Sequence, residues 1–180
     1  MRYFNKTDCI SNKNVILEEY DIKTASFIQN KPSVFLSHSS NDESKLPFVI
    51  SFLENYGVKV YIDKNDPRLP QETSSETARM LKANIKKCNK FILLVSENSK
   101  DSRWISWELG LADIAKSTSN VALLPIANDY INATKWTEQE YLGLYDRISK
   151  GKPKNYNDEI WMVHDYVDNT GVELGMWLKK

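Results

Sequence analysis

The spacing of apolar and polar residues changes character at Pro32. Beyond it, short apolar runs alternate with longer segments whose apolar residues recur every three or four positions. "SVFLSH" (33–38), "VKVYID" (58–63), "KFILLVSEN" (90–98) and "NVALLPIAN" (120–128) are compact runs rich in aliphatic and β-branched residues, and are expected as strands. Between the first two, Leu46, Val49, Phe52, Leu53 and Tyr56 mark one face of a helix over 42–57, with Gly57 as its stop. Pro47 falls near the first turns of that helix, where it costs little. Ala78, Leu81, Ile85 and Cys88 mark a second helix over 75–88. A third, over 102–117, sets Trp104, Trp107, Leu111, Ile114 and Ala115 on one stripe. Residues 64–74 hold two prolines and no period, and are expected as a long loop.

The pattern weakens after about residue 129. Residues 130–157 read as loop with one short helix, "EIWMVHDYV" (159–167) as a fifth strand, and "GVELGMWLKK" (171–180) as a closing helix. Residues 1–31 are polar apart from "NVILEEY" and read as an N-terminal extension to a main domain over 32–180, with one helix or strand packed on it.

Strand–helix alternation with continuously apolar strands is the signature of a parallel sheet covered by helices on both faces. The expected architecture is therefore a three-layer α/β/α domain. If the five strands lie in the order 2-1-3-4-5, the order reverses between strands 1 and 3, and ligands bind at the carboxyl ends of strands at such a point. The crevice would be walled by Ser37 to Asn41 on one side and Asn98 to Glu108 on the other, with 64–74 as a lid.

Composition narrows the function classes. The chain has 180 residues, 41% hydrophobic and 27% charged, which suits one globular domain with its own core. Net charge is zero, so there is no basic surplus to bind nucleic acid or an anionic membrane. Cys9 and Cys88 have no metal-binding or redox spacing and are expected as reduced thiols. No apolar run approaches the roughly 20 residues of a membrane span, and the N-terminus lacks a signal-like apolar core. A cytoplasmic protein without a bound metal is expected.

The most unusual stretch is "SRWISWELG" (102–110), which sets Glu108 against two tryptophans. Trp104 and Glu108 are four apart and share a helix face. An acidic residue in an early turn also simply complements the helix dipole, and a tie to Arg79 or Arg103 is a further alternative. Ser37, His38 and Asn41 are candidates to contact a nucleotide, or are loop and capping residues. Asp63 ends strand 2, where it either contacts a ribose or starts a turn. His164 is expected to be structural, and Trp136, Trp161 and Trp177 to be packing residues. A phosphorelay receiver is excluded because the positions after strands 1 and 3 lack its aspartates. A dinucleotide-binding turn and a P-loop are excluded because "SHSSND" has no glycine.

Three segments in order resemble the TIR (Toll/interleukin-1 receptor) domain. "VFLSHSSND" looks like its first strand and loop, "YIDKNDPRLPQETS" like its strand-2 end and BB loop, and "SRWISWELG" like its Trp-x-x-x-Glu signature. The BB loop here lacks a glycine that many members carry. The tail is similar to that of short stand-alone bacterial members, such as the TIR component of Thoeris anti-phage systems. The resemblance implies a flavodoxin-like sheet of order 2-1-3-4-5. It also implies an NAD⁺ glycohydrolase or cyclase with Glu108 as catalytic residue and Ser37, His38, Asn41, Asp63 and Trp104 as substrate-binding residues. NAD⁺ would be consumed as substrate, with no further cofactor. Self-association through TIR–TIR contacts and a separate effector sensing the product are implied too. The alternative carried by the same resemblance is a non-catalytic interaction module.

Overall fold

The computed structural model describes residues 2–5, 8, 31–62, 75–99, 103–126, 140–154 and 156–180. The expected lid, Asp63, Cys9 and Trp136 lie outside the described residues. The strands are β1 (Ser33–Ser37), β2 (Lys59–Tyr61), β3 (Lys90–Val95), β4 (Val121–Pro125), β5 (Asp146–Gly151), β6 (Ile160–Asp165) and β7 (Thr170–Glu173). The α-helices are α1 (Leu46–Glu54), α2 (Ser75–Lys87), α3 (Arg103–Lys116) and α4 (Leu174–Lys179). Short 3-10 helices cover Ser40–Lys45, Glu97–Ser99, Thr118–Asn120 and Glu140–Leu144. No helix among the described residues is long and apolar enough to cross a membrane.

One seven-stranded sheet runs in the order β2-β1-β3-β4-β5-β6-β7. The first five strands are parallel, in the expected order. β6 and β7 add to the β5 edge as antiparallel strands, so the sheet is larger than the five strands read from the sequence. The run 159–167 is thus the sixth strand, and the fifth is "DRISKG", within a segment read as loop and helix. Ile148 is the one aliphatic residue of β5. Its other face carries Arg147, whose guanidinium lies 4.3 Å from the ring of Tyr166, and Ser149, which bonds the same tyrosine. Polar partners therefore replace the apolar run that marks a buried strand. The expected closing helix is also divided: 170–173 continue the sheet as β7 before α4 begins. Gly57 does stop the first helix, at φ 80°, a left-handed conformation that glycine adopts without strain.

The sheet separates two cores. On one face Val34, Leu36, Ile92, Leu94, Ala122 and Leu124 pack under α1 and α4. Phe4 joins this core, 2% exposed, with ring centroids 5.0 Å from Phe52 and 5.9 Å from Trp161. On the other face Phe35, Phe91, Leu93, Val95, Val121 and Leu123 pack under α2 and α3. There Phe35 and Phe91 stack at 5.6 Å with ring planes 7° apart. Leu81, Ile85 and Cys88 line the inner side of α2 as expected, together with the buried polar residue Asn84. Asn84 donates its amide to the Tyr61 hydroxyl at 2.5 Å and so ties α2 to the β2 edge.

α3 corrects the sequence reading. Among the described residues its buried side chains are Ile105, Glu108, Leu109 and Ala112, while Trp107 is 37% and Ile114 89% exposed. The helix is turned by about one residue relative to the stripe expected from its aromatics. A stripe with small Ala112 and short Ile105 packs closer to the sheet than one led by indole rings.

Candidate active site

The parallel strands bring β1 and β3 side by side at the point where strand order reverses. Ser37, the last residue of β1, pairs in register with Leu93, and Phe35 pairs with Phe91. Strand alternation therefore places the Ser37 side chain on the α2/α3 face. Its hydroxyl is fully buried and has no hydrogen-bond partner among the described residues. A buried hydroxyl left in that state costs about 1–3 kcal/mol. His38, half-buried, follows directly. Ser39 is buried and caps the next 3-10 helix, accepting from the Asn41 backbone amide at 3.4 Å. The Asn41 side chain itself is exposed.

Glu108 approaches the same layer from above. Residues 105, 108, 109 and 112 follow the i, i+3, i+4, i+7 pattern of a core-facing stripe, and Ile105, Leu109 and Ala112 pack into the core beneath. Glu108 sits among them, 3% exposed. The first turn of α3 holds no acidic residue, and Glu108 lies in the second turn. The helix dipole acts within the first turn, so dipole complementation does not account for a buried carboxylate at this depth. α3 also packs against β1 itself, and its inner stripe covers the face of the sheet on which the Ser37 side chain lies. Trp104 lies on α3, four residues before Glu108; its side chain lies outside the described residues. The Ser106 hydroxyl, 3.1 Å from that of Tyr141, braces the outer side of α3 against the 3-10 turn before β5.

Sequence reasoning missed Asp42. It is fully buried and accepts from Ser96 Oγ at 2.5 Å, Asn98 Nδ2 at 2.9 Å and Lys45 Nζ at 2.5 Å. Its sequence context, "SSNDE", reads as an ordinary helix start. Only the neighbouring strand shows that the side chain turns inward.

A family model described as TIR domain matches residues 34–154, two-thirds of the chain, spanning β1 to β5. The chain belongs to the TIR domain family. It is 35% identical over 154 residues to a "Probable 3' cyclic ADP-D-ribose synthase ThsB'" of Bacillus cereus (strain MSX-D12), across 83% of this chain and 76% of that protein. It is also 28% identical over 128 residues to a "Putative cyclic ADP-D-ribose synthase TIR2" of Cytobacillus dafuensis, across 61% of this chain and 33% of that longer protein. Among solved structures, a 2-deoxyribosyltransferase of Bacillus psychrosaccharolyticus superposes with a TM-score of 0.41 at 16% identity, over 63% of this chain and 96% of that one.

The remaining expected residues divide clearly. His164 is buried on β6, with Nε2 3.2 Å from Asn169 Oδ1 and its ring edge-on to Tyr166 at 4.3 Å. Its Nδ1 has no hydrogen-bond partner among the described residues, so the expected structural histidine is only half satisfied. Its cross-strand partner Arg147 pairs on β5 with Leu123 of β4. Through Leu123 and Leu93, Arg147 stands in the same cross-strand row as Ser37, three strands away across the sheet. Trp161 and Trp177 pack on the α1/α4 core, as expected of packing residues.

Proposed function

We propose that this TIR protein cleaves the nicotinamide–ribose bond of NAD⁺ and closes the product into a cyclic ADP-ribose. The burial of Glu108 on the inner side of α3, the helix that follows β3, is the observation that carries the reading. The names of the two relatives support the product class.

Loss of nicotinamide leaves positive charge spread over the ribose ring. A carboxylate fixed in a dry site stabilises that charge far more than one in water. Glu108, 3% exposed among Ile105, Leu109 and Ala112, is such a carboxylate. Nicotinamide departs as a neutral molecule carrying the bonding electron pair, so no general acid is needed. One glutamate suffices where glycosidases use two carboxyl groups. A hydroxyl of the same NAD⁺ molecule then bonds to the ribose carbon, and its proton passes to Glu108. Capture by water instead gives linear ADP-ribose.

The substrate-binding roles belong to the same proposal. The unsatisfied Ser37 hydroxyl donates to an oxygen of the substrate, His38 and Asn41 line the nucleotide, and Asp63 and Trp104 close the ribose side. Self-association through TIR contacts, a separate effector that senses the product, a cytoplasmic location and a role in defence against phage complete the reading.

The test is incubation with NAD⁺, with free nicotinamide and product mass as readouts. Wild type should release nicotinamide and form a product of the mass of cyclic ADP-ribose. Glu108→Gln, of unchanged fold, should lose at least 10²–10³-fold in rate. Equal release by both would remove Glu108 from the chemistry, and release by neither would leave the protein as an interaction module.

A further inference from the structure

We propose that Asp42 is a positioning residue for this reaction: its buried carboxylate clasps the two loops that wall the cleft and so sets where Ser37 stands relative to Glu108. The inference rests on the reading of the cleft as an NAD⁺ site.

The clasp joins segments that are distant in sequence. Asp42 and Ser96 are 54 residues apart, and Asp42 and Asn98 are 56 apart. Each oxygen has its own work: Oδ2 accepts from the Ser96 hydroxyl, while Oδ1 accepts from Asn98 and pairs with Lys45. The turn leaving β3 is organised around the same contact. Ser96 Oγ accepts from the Asn98 amide at 3.0 Å while donating to Asp42. Ser99 Oγ accepts from the Ser96 amide at 2.9 Å and donates to the Leu94 carbonyl at 3.2 Å. Ser96 and Ser99 are both buried. A carboxylate taken fully out of water persists only when paired and hydrogen-bonded, and Asp42 meets both conditions.

Its placement gives the clasp a role beyond stability. Five residues before Asp42 stands Ser37, and ten residues after Asn98 stands Glu108. The two arms fixed by Asp42 are thus those that deliver the unsatisfied hydroxyl and the buried carboxylate. The Ser37 hydroxyl is buried and has no hydrogen-bond partner among the described residues. That arrangement suits a ligand oxygen whose position is specified in advance. Displacements of about 1 Å at a reacting centre can cost on the order of 10²-fold in rate.

The experiment exchanges donor and acceptor. Asp42→Asn removes the charge that pairs with Lys45 and the acceptor that faces Ser96, Asn98→Asp sets two carboxylates together, and the double variant restores one carboxylate against one amide. Three readouts apply to each protein: hydrogen exchange over 37–45 and 94–99, the Kd of an uncleavable carbocyclic NAD⁺ analogue, and kcat with KM for nicotinamide release. Asp42→Asn should speed exchange in both segments and lower kcat by about 10²-fold, with a smaller change in KM. The double variant should recover both loop protection and most of kcat. If Asp42→Asn does not fold, Ser96→Ala, which removes one of the three partners, carries the same measurements. Normal turnover in a folded Asp42→Asn, or restored protection without restored kcat in the double variant, overturns the positioning role. A wild type that neither binds the analogue nor releases nicotinamide overturns the NAD⁺ reading itself.

Discussion

The ammonium group of Lys90 lies 4.6 Å from the ring centroid of Trp177, joining the start of β3 to the C-terminal helix. Lys90 is only 2% exposed, and its Nζ also donates to Asn120 Oδ1 at 2.5 Å. Trp177 donates its indole N–H to the Ser119 carbonyl at 2.9 Å. Burial, and then the charges of Lys180 and Lys116, lower the Lys90 pKa. The ring and the Asn120 oxygen hold the ammonium in place against that cost.

Trp177→Ala removes this lid from the α1/α4 core. The expected cost is about 3–5 kcal/mol, as for other buried tryptophans, read as a lower urea midpoint. Trp177→Phe keeps a ring over Lys90 and should recover most of that loss, short of about 1 kcal/mol for the missing hydrogen bond.

Ser37→Ala should separate stability from function in opposite directions. The native hydroxyl is buried without a hydrogen-bond partner among the described residues, so its removal is expected to leave stability unchanged or raise it by up to about 1 kcal/mol, read as the melting temperature. The same variant should weaken NAD⁺ binding by roughly tenfold, the worth of one hydrogen bond at about 1.4 kcal/mol per decade. A destabilised Ser37→Ala with normal KM would place this hydroxyl in the fold and not in the site.

Cys88 should give a pH-dependent loss of stability. Burial raises its thiol from 9.0 to about 11, opposed by Lys116 and a hydrogen bond with Ser33. The folded state then holds its proton where the unfolded state has released it. The contribution is fully present below pH 9 and is lost as pH rises from there through about 11. Its slope is at most about 1.4 kcal/mol per pH unit. Lys90 and Lys116, both lowered, act with the opposite sign just below 10.5. The difference between wild type and Cys88→Ala in denaturant melts across this range isolates the thiol. A difference that does not change with pH would refute the assignment.

Phe4 should be needed by the main domain. It bridges to Ile126 just past β4, while Arg2 bridges to Lys150 of β5 and holds Asp8 through two hydrogen bonds of 2.7 Å. Phe4→Ala is expected to cost about 3–5 kcal/mol, and a chain beginning at Lys31 should lose at least as much, measured by thermal melts. A shortened chain as stable as the whole would show residues 2–5 to be dispensable.

The sequence by itself determined the strands β1 to β4 and singled out Glu108, which the fold buries. β1, β3 and β4 are buried on both faces, so their apolar runs are continuous and cannot be mistaken for loop. Glu108 stood out because it follows Trp104 by four residues and Trp107 by one, in a stretch otherwise read as apolar. Tertiary structure decided what period and composition do not encode. β5 went unread because its partners are polar and arrive from Tyr166 and His164 on later parts of the chain. The rotation of α3 was set by which side chains fit against the sheet, which buried Ile105 and Glu108 and left Ile114 in water. Asp42 looked like a helix-start charge until β3 placed Ser96 and Asn98 against it. Local sequence specifies local conformation; a buried charge is defined by partners more than fifty residues away, and only the folded chain brings them within hydrogen-bonding distance.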